Sequence, residues 1–183
     1  MTEDELIKAC ISKNERAQKA LFDNFSPRLM GVCLRYAQNR DEAKDMLQDG
    51  FIKIFQKLEA FSGTGSFGGW MHRTMVNTCL DAIRKNSKHL YSVEIEKADH
   101  LIQLDETILS EIRTKELLGL VQQLPDGYRL VFNMFAIEGY GHKEIAEELG
   151  ISENTSKSQF RKARLWLQKA IIKLDEIKDY SEK

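Results

Sequence analysis

The residues of this chain best suited to chemistry are cations. Between residues 153 and 173 stand Lys157, Arg161, Lys162, Arg164, Lys169 and Lys173, opposed by Glu153 alone. Ammonium and guanidinium groups at this density attract phosphate, and because that attraction is screened within about 10 Å, the local balance counts for more than the total. A second polar row, Arg73, Asn77, Asp81 and Arg84, recurs at steps of four, four and three, with Lys85 and Lys88 just beyond. Helical spacing puts such a row on one face, and Val76, Leu80 and Ile83 on the other. A third row, Asp45, Gln48, Asp49 and Ile52, makes an acidic and apolar edge. An edge of this kind is either solvated surface or the carboxylate half of a protein interface.

Catalytic constellations are not expected. His72, His89, His100 and His142 have neither metal-ligand spacing nor a nucleophile partner, so no metal, cofactor or small-molecule substrate is implied and the chain is not expected to be an enzyme. Gly63-Thr64-Gly65-Ser66-Phe67-Gly68 satisfies G-x-G-x-x-G. A dinucleotide site needs a preceding strand, however, and this loop follows a helical pattern with no Walker lysine. It reads as a helix connection whose backbone can approach a strand of DNA.

The elements that must position these rows are helices. The 183 residues are 42% hydrophobic and 30% charged, with two prolines and few strand-type alternations, a pattern of an all-α chain. Cys10, Cys33 and Cys79 are too scattered for a zinc site or a disulfide framework and read as core thiols in a reducing compartment. No apolar run approaches the roughly 20 residues that span a membrane, and the acidic start does not resemble a signal peptide. Cytoplasmic location without membrane insertion is expected.

A net charge of -1 conceals a division along the chain. Residues 1–88 carry 14 basic against 11 acidic residues, residues 89–116 carry 3 against 7, and residues 117–183 carry 10 against 10. Two small helical domains, 1–88 and 113–183, are therefore expected on either side of an acidic linker at 89–112. Periodicity predicts a short helix over 14–24, and then one from Ser26-Pro27, read as an N-cap and first helical residue, to about Gln38. Further helices are expected over 41–60, 70–86, 105–122, 126–138, 142–149 and 153 to about 178.

The punctuation around residue 150 is the most informative. Ile145 and Leu149 face inward, Ala146 leaves room for a crossing helix, Gly150 supplies a left-handed turn, Ile151 plugs the angle and Ser152 caps the next helix. That is a helix-turn-helix. On its second helix Phe160, Ala163 and Leu167 take inward spacing, leaving Thr155, Lys157, Ser158, Arg161, Lys162 and Arg164 outward to meet base edges or phosphates. The bland alternative is a solvated basic face.

Taken in order, Asp45-Met46-Leu47-Gln48-Asp49-Gly50, Trp70 to Asn77, Asp81-Ala82-Ile83-Arg84, Leu124-Pro125-Asp126-Gly127-Tyr128-Arg129 and the helix-turn-helix resemble the extracytoplasmic-function members of the sigma-70 family, across nearly the whole chain. The resemblance implies that Asp45, Gln48, Asp49 and Ile52 dock on core RNA polymerase. It implies that the loop with Phe61, Ser66 and Phe67, together with Arg73, Asn77, Arg84 and Lys85, holds the melted minus-10 element of promoter DNA. Thr155, Lys157, Ser158, Arg161, Lys162 and Arg164 would serve the minus-35 element, and an anti-sigma factor is the implied regulatory partner. Trp70 is read as core in preference to a base-stacking residue. Ser156 departs from the family pattern, standing where many members carry an inward valine, so weaker or adjusted packing is expected there. The competing reading is a regulator that binds an operator through the same helix-turn-helix without polymerase. Residues 1–88 lack the alternating strands and helices of a phosphoreceiver that such a regulator would show.

Overall fold

Every regular element among the described residues is helical. The structure is a computed structural model that describes residues 2–86 and 114–181. The acidic linker assigned to 89–112, with His89, His100 and the first part of the helix expected over 105–122, lies outside the described residues. The chain divides into two compact units, Met1–Lys88 and His89–Lys183.

The first unit contains α1 (Glu3–Ile11), α2 (Glu15–Tyr36), α3 (Arg40–Lys57) extended by a 3-10 turn at Leu58–Ala60, and α4 (Phe67–Asn86). Helix α1 is additional to the expected elements. Its signal is Thr2-x-x-Glu5: the Thr2 hydroxyl accepts from the Glu5 N–H at 3.2 Å while the Thr2 N–H donates to the Glu5 carboxylate at 2.8 Å, a reciprocal cap. The expected break at Ser26-Pro27 does not occur, because α2 runs through Pro27 as one helix of 22 residues. Ala17 and Leu21 before the proline and Leu29, Val32, Cys33 and Tyr36 after it share one buried face. Burial on both sides outweighs the roughly 3 kcal/mol that proline costs inside a helix.

Helices α2, α3 and α4 pack on one another, and α1 lies against α2 and the 3-10 turn. Gly50 on α3 is buried where a Cβ would stand 2.3 Å from Met75 Sδ, so the bare backbone makes room for a methionine of α4. Helix α4 starts at Phe67, three residues earlier than expected, and buries Met71, Met75, Val76, Cys79, Leu80 and Ile83. The three cysteines are buried and form no disulfide, as their scatter implied, and burial pushes the Cys10 thiol up from its ordinary value.

The second unit contains α5 (Thr114–Gln122), α6 (Asp126–Phe132) prolonged by a π turn at Asn133–Ile137, α7 (His142–Leu149) and α8 (Glu153–Ser181). Its core joins Leu120, Val121 and Leu124 to Ala163, Leu167 and Ile171, with Tyr128, Phe132 and Trp166 packed against them. A guanidinium is buried in this small unit. Arg129, 3% exposed, donates through Nη1 to the carbonyls of Gln122 and Leu124 at 3.1 and 3.3 Å and through Nη2 to Asp126 at 2.7 Å. These bonds tie the end of α5 to the start of α6 across the Leu124-Pro125 turn, and they offset the desolvation that a buried charge suffers.

Candidate nucleic-acid interface

The recognition surface of the second unit starts at its turn. Gly150 adopts φ 66° and ψ 34°, the left-handed conformation, and its N–H returns to the Ala146 carbonyl. Ile151 also donates to Ala146, at 3.1 Å. Ser152 then caps α8, its hydroxyl accepting from the Thr155 N–H at 3.0 Å. Ile145 and Leu149 of α7 and Ala163 and Leu167 of α8 are buried, as the helix-turn-helix spacing requires. Phe160 is half-buried, with its ring 4.5 Å from that of Phe135 and 6.2 Å from that of Phe132.

This packing turns Lys157, Ser158, Arg161 and Arg164 to the exterior, with Thr155 and Lys162 half-buried at the edge. Two of the cations are steadied within the helix. Lys157 pairs with Glu153 at 2.6 Å, and the Arg164 guanidinium lies 6.0 Å from the centre of the Phe160 ring. The Lys157 hydrogen bond and charge hold the Glu153 carboxyl below the usual carboxylate range.

Ser156 is fully buried and its hydroxyl lies 2.9 Å from His142 Nδ1. The imidazole stacks on Phe135, with centroids 4.3 Å apart and planes 13° apart, and meets Phe160 edge-on at 5.9 Å. The packing around Ser156 is therefore adjusted to a polar contact. Burial, reinforced by Lys157 and opposed by Glu153, holds His142 below its ordinary pKa.

In the first unit Asp45, Gln48, Asp49 and Ile52 all stand exposed on α3, with Ile52 53% accessible despite its apolar side chain. On α4, Arg73, Asn77, Arg84 and Lys85 are exposed along one side and Val76, Leu80 and Ile83 are buried on the other. Asp81 interrupts the polar row and binds its neighbours, Lys53 of α3 at 2.9 Å and Arg84 at 3.2 Å. Burial alone raises the Asp81 pKa, but the Lys53 hydrogen bond and the charges of Lys53, Arg84 and Lys85 hold it below the ordinary value. A cleft of about 260 Å³ between α3 and α4 is bordered by Asp45, Asp49, Lys53, Asp81 and Lys85, so the acidic edge and the basic end of α4 share one groove.

The loop before α4 corrects one expectation. Ser66 is exposed and Phe61 half-buried, but Phe67, expected to touch the minus-10 element, is 1% exposed. Its ring is enclosed by Phe25, Phe61 and Trp70 at centroid distances of 5.9, 5.2 and 5.8 Å, which leaves no face for a base. It is the support on which the half-buried Phe61 and Trp70 lean. Gly63 and Gly65 take φ values of +72° and +86°, conformations that bring the chain round tightly before α4.

The sequence carries the same two-part division in its similarities. Residues 21–89 match the family model for Sigma-70 region 2, and residues 114–167 match that for Sigma-70, region 4. The chain belongs to the sigma-70 family, in its extracytoplasmic-function branch. It is 25% identical to the ECF RNA polymerase sigma-E factor of Haemophilus influenzae over 183 residues, covering 93% of this chain and 96% of that protein. It is 26% identical to the ECF RNA polymerase sigma factor SigW of Bacillus subtilis, covering 90% and 94%. A solved structure of the sigma factor RpoE in complex with the anti-sigma factor NepR, from Bartonella quintana, shares the fold at a TM-score of 0.50 and 22% identity, over 86% of this chain and 97% of that one.

The region 2 match takes in α3, the loop and α4, and the region 4 match takes in the helix-turn-helix. All residues expected to act lie inside these two stretches. Three that support them were not foreseen as site residues: Lys53, which ties α3 to the polar row of α4, Arg129, and His142. Lys53 and His142 act through contacts that folding alone brings together, with partners 28 and 14 positions away, whereas Arg129 binds partners within seven positions across the Leu124-Pro125 turn.

Proposed function

We propose that the two units grip a promoter at two places while the first also holds core RNA polymerase, so that this sigma factor directs where transcription starts and promotes DNA melting. Residues 1–88 would dock on polymerase through Asp45, Gln48, Asp49 and Ile52 and steady the melted minus-10 strand through Phe61, Ser66, Arg73, Asn77, Arg84 and Lys85. Residues 113–183 would bind the minus-35 element through Thr155, Lys157, Ser158, Arg161, Lys162 and Arg164, and residues 89–112 would link the two. The observation that carries the reading is the fixed outward basic face of α8 behind a left-handed glycine and a serine cap. Such a face offers side chains to a major groove and cations to phosphates.

Opening DNA costs a few kcal/mol per unstacked base, and a single-strand reader supplies cations beside an aromatic surface. Phe61, half-buried and backed by Phe67, would supply that surface, while Trp70 packs against both rings. The protein acts in the cytoplasm without catalysis of its own, and an anti-sigma factor is its regulatory partner, by analogy with the Bartonella quintana complex. No described helix is long and apolar enough to cross a membrane. A regulator working without polymerase would leave the exposed Asp45, Asp49 and Ile52 edge without a role.

Run-off transcription with purified core polymerase tests the reading. Addition of the protein is expected to create start sites that core polymerase alone does not use, and charge reversal at Asp45 and Asp49 to abolish capture of the core while helicity persists. Start sites unchanged by the protein would refute the whole assignment. Arg161→Ala is expected to weaken initiation by about 1 to 3 kcal/mol if the side chain reads a base, and by less, uniformly across sequences, if it meets phosphate.

A further inference from the structure

We infer that His142 is a positioning residue for minus-35 recognition: its hydrogen bond to Ser156 sets the rotation of α8 about its own axis. The inference rests on the assignment of α8 to the minus-35 element and adds a residue of α7 that is not among those assigned to the DNA.

Side chains on a helix step round by about 100° per residue. Ser156 lies between Thr155 and Lys157, so fixing Ser156 inward fixes where both neighbours project. The buried apolar residues of α8 begin only at Ala163, with half-buried Phe160 before it. The first two turns, which carry Thr155, Lys157 and Ser158, are held instead by the Ser152 cap and by Ser156. An apolar contact tolerates sliding, whereas a hydrogen bond of 2.9 Å weakens steeply when its angle opens.

The partner is itself fixed. His142 opens α7, its ring is stacked on Phe135 of the π turn, and its edge contact reaches Phe160. Three elements thus meet at one imidazole, and its Nδ1 reaches Ser156 in the first turn of α8. A serine hydroxyl donates to a bare Nδ1 or accepts from a protonated one, so the bond persists in either tautomer. A valine at the same position offers no such link.

The test uses the full chain assembled with core polymerase and two promoter duplexes that share a minus-10 element, one with an intact and one with a scrambled minus-35 element. The readout is the ratio of the two affinities, measured for the unaltered protein and for H142F, S156A, the double variant and S156T. Phenylalanine keeps the stacking and removes the bond, and threonine keeps the hydroxyl. Unfolding of the second unit alone would also lower the ratio, so Trp166 fluorescence in a Trp70→Phe background first establishes that each variant keeps that unit folded under the assay conditions.

H142F and S156A are each expected to lower the ratio about tenfold. The double variant is expected to fall no further, since one bond is removed in every case, and S156T to stay within about threefold of the unaltered protein. Unchanged ratios in the single variants, a double variant that multiplies the two losses, or S156T falling as far as S156A would each overturn the inference. A holoenzyme of the unaltered chain with no preference between the duplexes would instead overturn the minus-35 assignment, and this inference with it.

Discussion

The two units hold their polar rows by different means. In the first, Arg73, Asn77, Arg84 and Lys85 ride on a helix whose other side is a largely apolar surface from Met71 to Ile83, interrupted by Thr78, whose hydroxyl donates to the Thr74 carbonyl, and packed against α2 and α3. In the second, the working end of α8 depends on polar and conformational pins: Gly150 in a left-handed turn, the Ser152 cap, the Ser156–His142 bond and, behind them, the buried Arg129. Apolar support is spread over many contacts of about 0.1 to 0.2 kcal/mol each and yields gradually. A pin is directional, and removing one partner strands the other. The second unit should therefore be the more sensitive to single substitutions.

Arg129→Leu should have the largest effect. It removes a donor from the buried Leu124 carbonyl, the part-buried Gln122 carbonyl and Asp126, and should cost the second unit about 3 kcal/mol, below the upper range because Asp126 keeps some access to solvent. The molecule supplies its own reporters, Trp70 in the first unit and Trp166 in the second. Urea unfolding followed by Trp166 fluorescence in a Trp70→Phe background measures the loss. A shift under about 0.5 kcal/mol, the scale of an ordinary surface change, would erase the contrast between the units.

The matching intrusion in the first unit is Gly50→Ala. The new methyl group meets the far end of the Met75 side chain, and a flexible thioether gives way more readily than a branched chain. The expected cost is about 1.5 kcal/mol, near the low end for overpacking, read from Trp70 in a Trp166→Phe background. Gly150→Ala, which forces a Cβ into the left-handed region, should cost the second unit about 1 kcal/mol, and Gly150→Asn less. Equal costs for alanine and asparagine would mean that conformation is not what Gly150 supplies.

Legibility in the sequence divides along the same contrast. The helix-turn-helix was readable because its pins are local: glycine, serine and the inward residues sit within one short stretch, and the structure places each as expected. The opposed faces of α4 were readable from spacing. The reciprocal cap of α1 was written in Thr2 and Glu5 but is easily passed over as an acidic start. Pro27 misled because local punctuation signals a boundary, whereas the buried face shared by Leu21 and Leu29 is decided by what α2 packs against. Phe67 was misplaced for a related reason, since an aromatic in a glycine-rich loop looks available until Phe25 and Trp70 enclose it. His142 and Arg129 have partners chosen by the fold or by a turn, and their residue types alone point elsewhere.

Acidification should separate the units by the smallest margin. His142 is held below its ordinary value, so between pH 7 and 5 the unfolded chain takes up a proton near pH 6.5 more readily than the folded one does. Bound protons then favour the unfolded state, and the stability of the second unit falls as pH drops through that window. Asp81 behaves differently. Its carboxyl is held below the ordinary value, so its contribution to the first unit is fully present above about pH 4 and is lost only as pH falls further, through its folded-state value. Unfolding followed separately by Trp166 and Trp70 at pH 7 and pH 5.5 should show the second unit losing stability through His142, with no contribution from Asp81 in the first. His142→Phe should remove that pH dependence from the Trp166 signal; if the dependence survives the substitution, another group is responsible and the imidazole is not the acid-sensitive pin of the second unit.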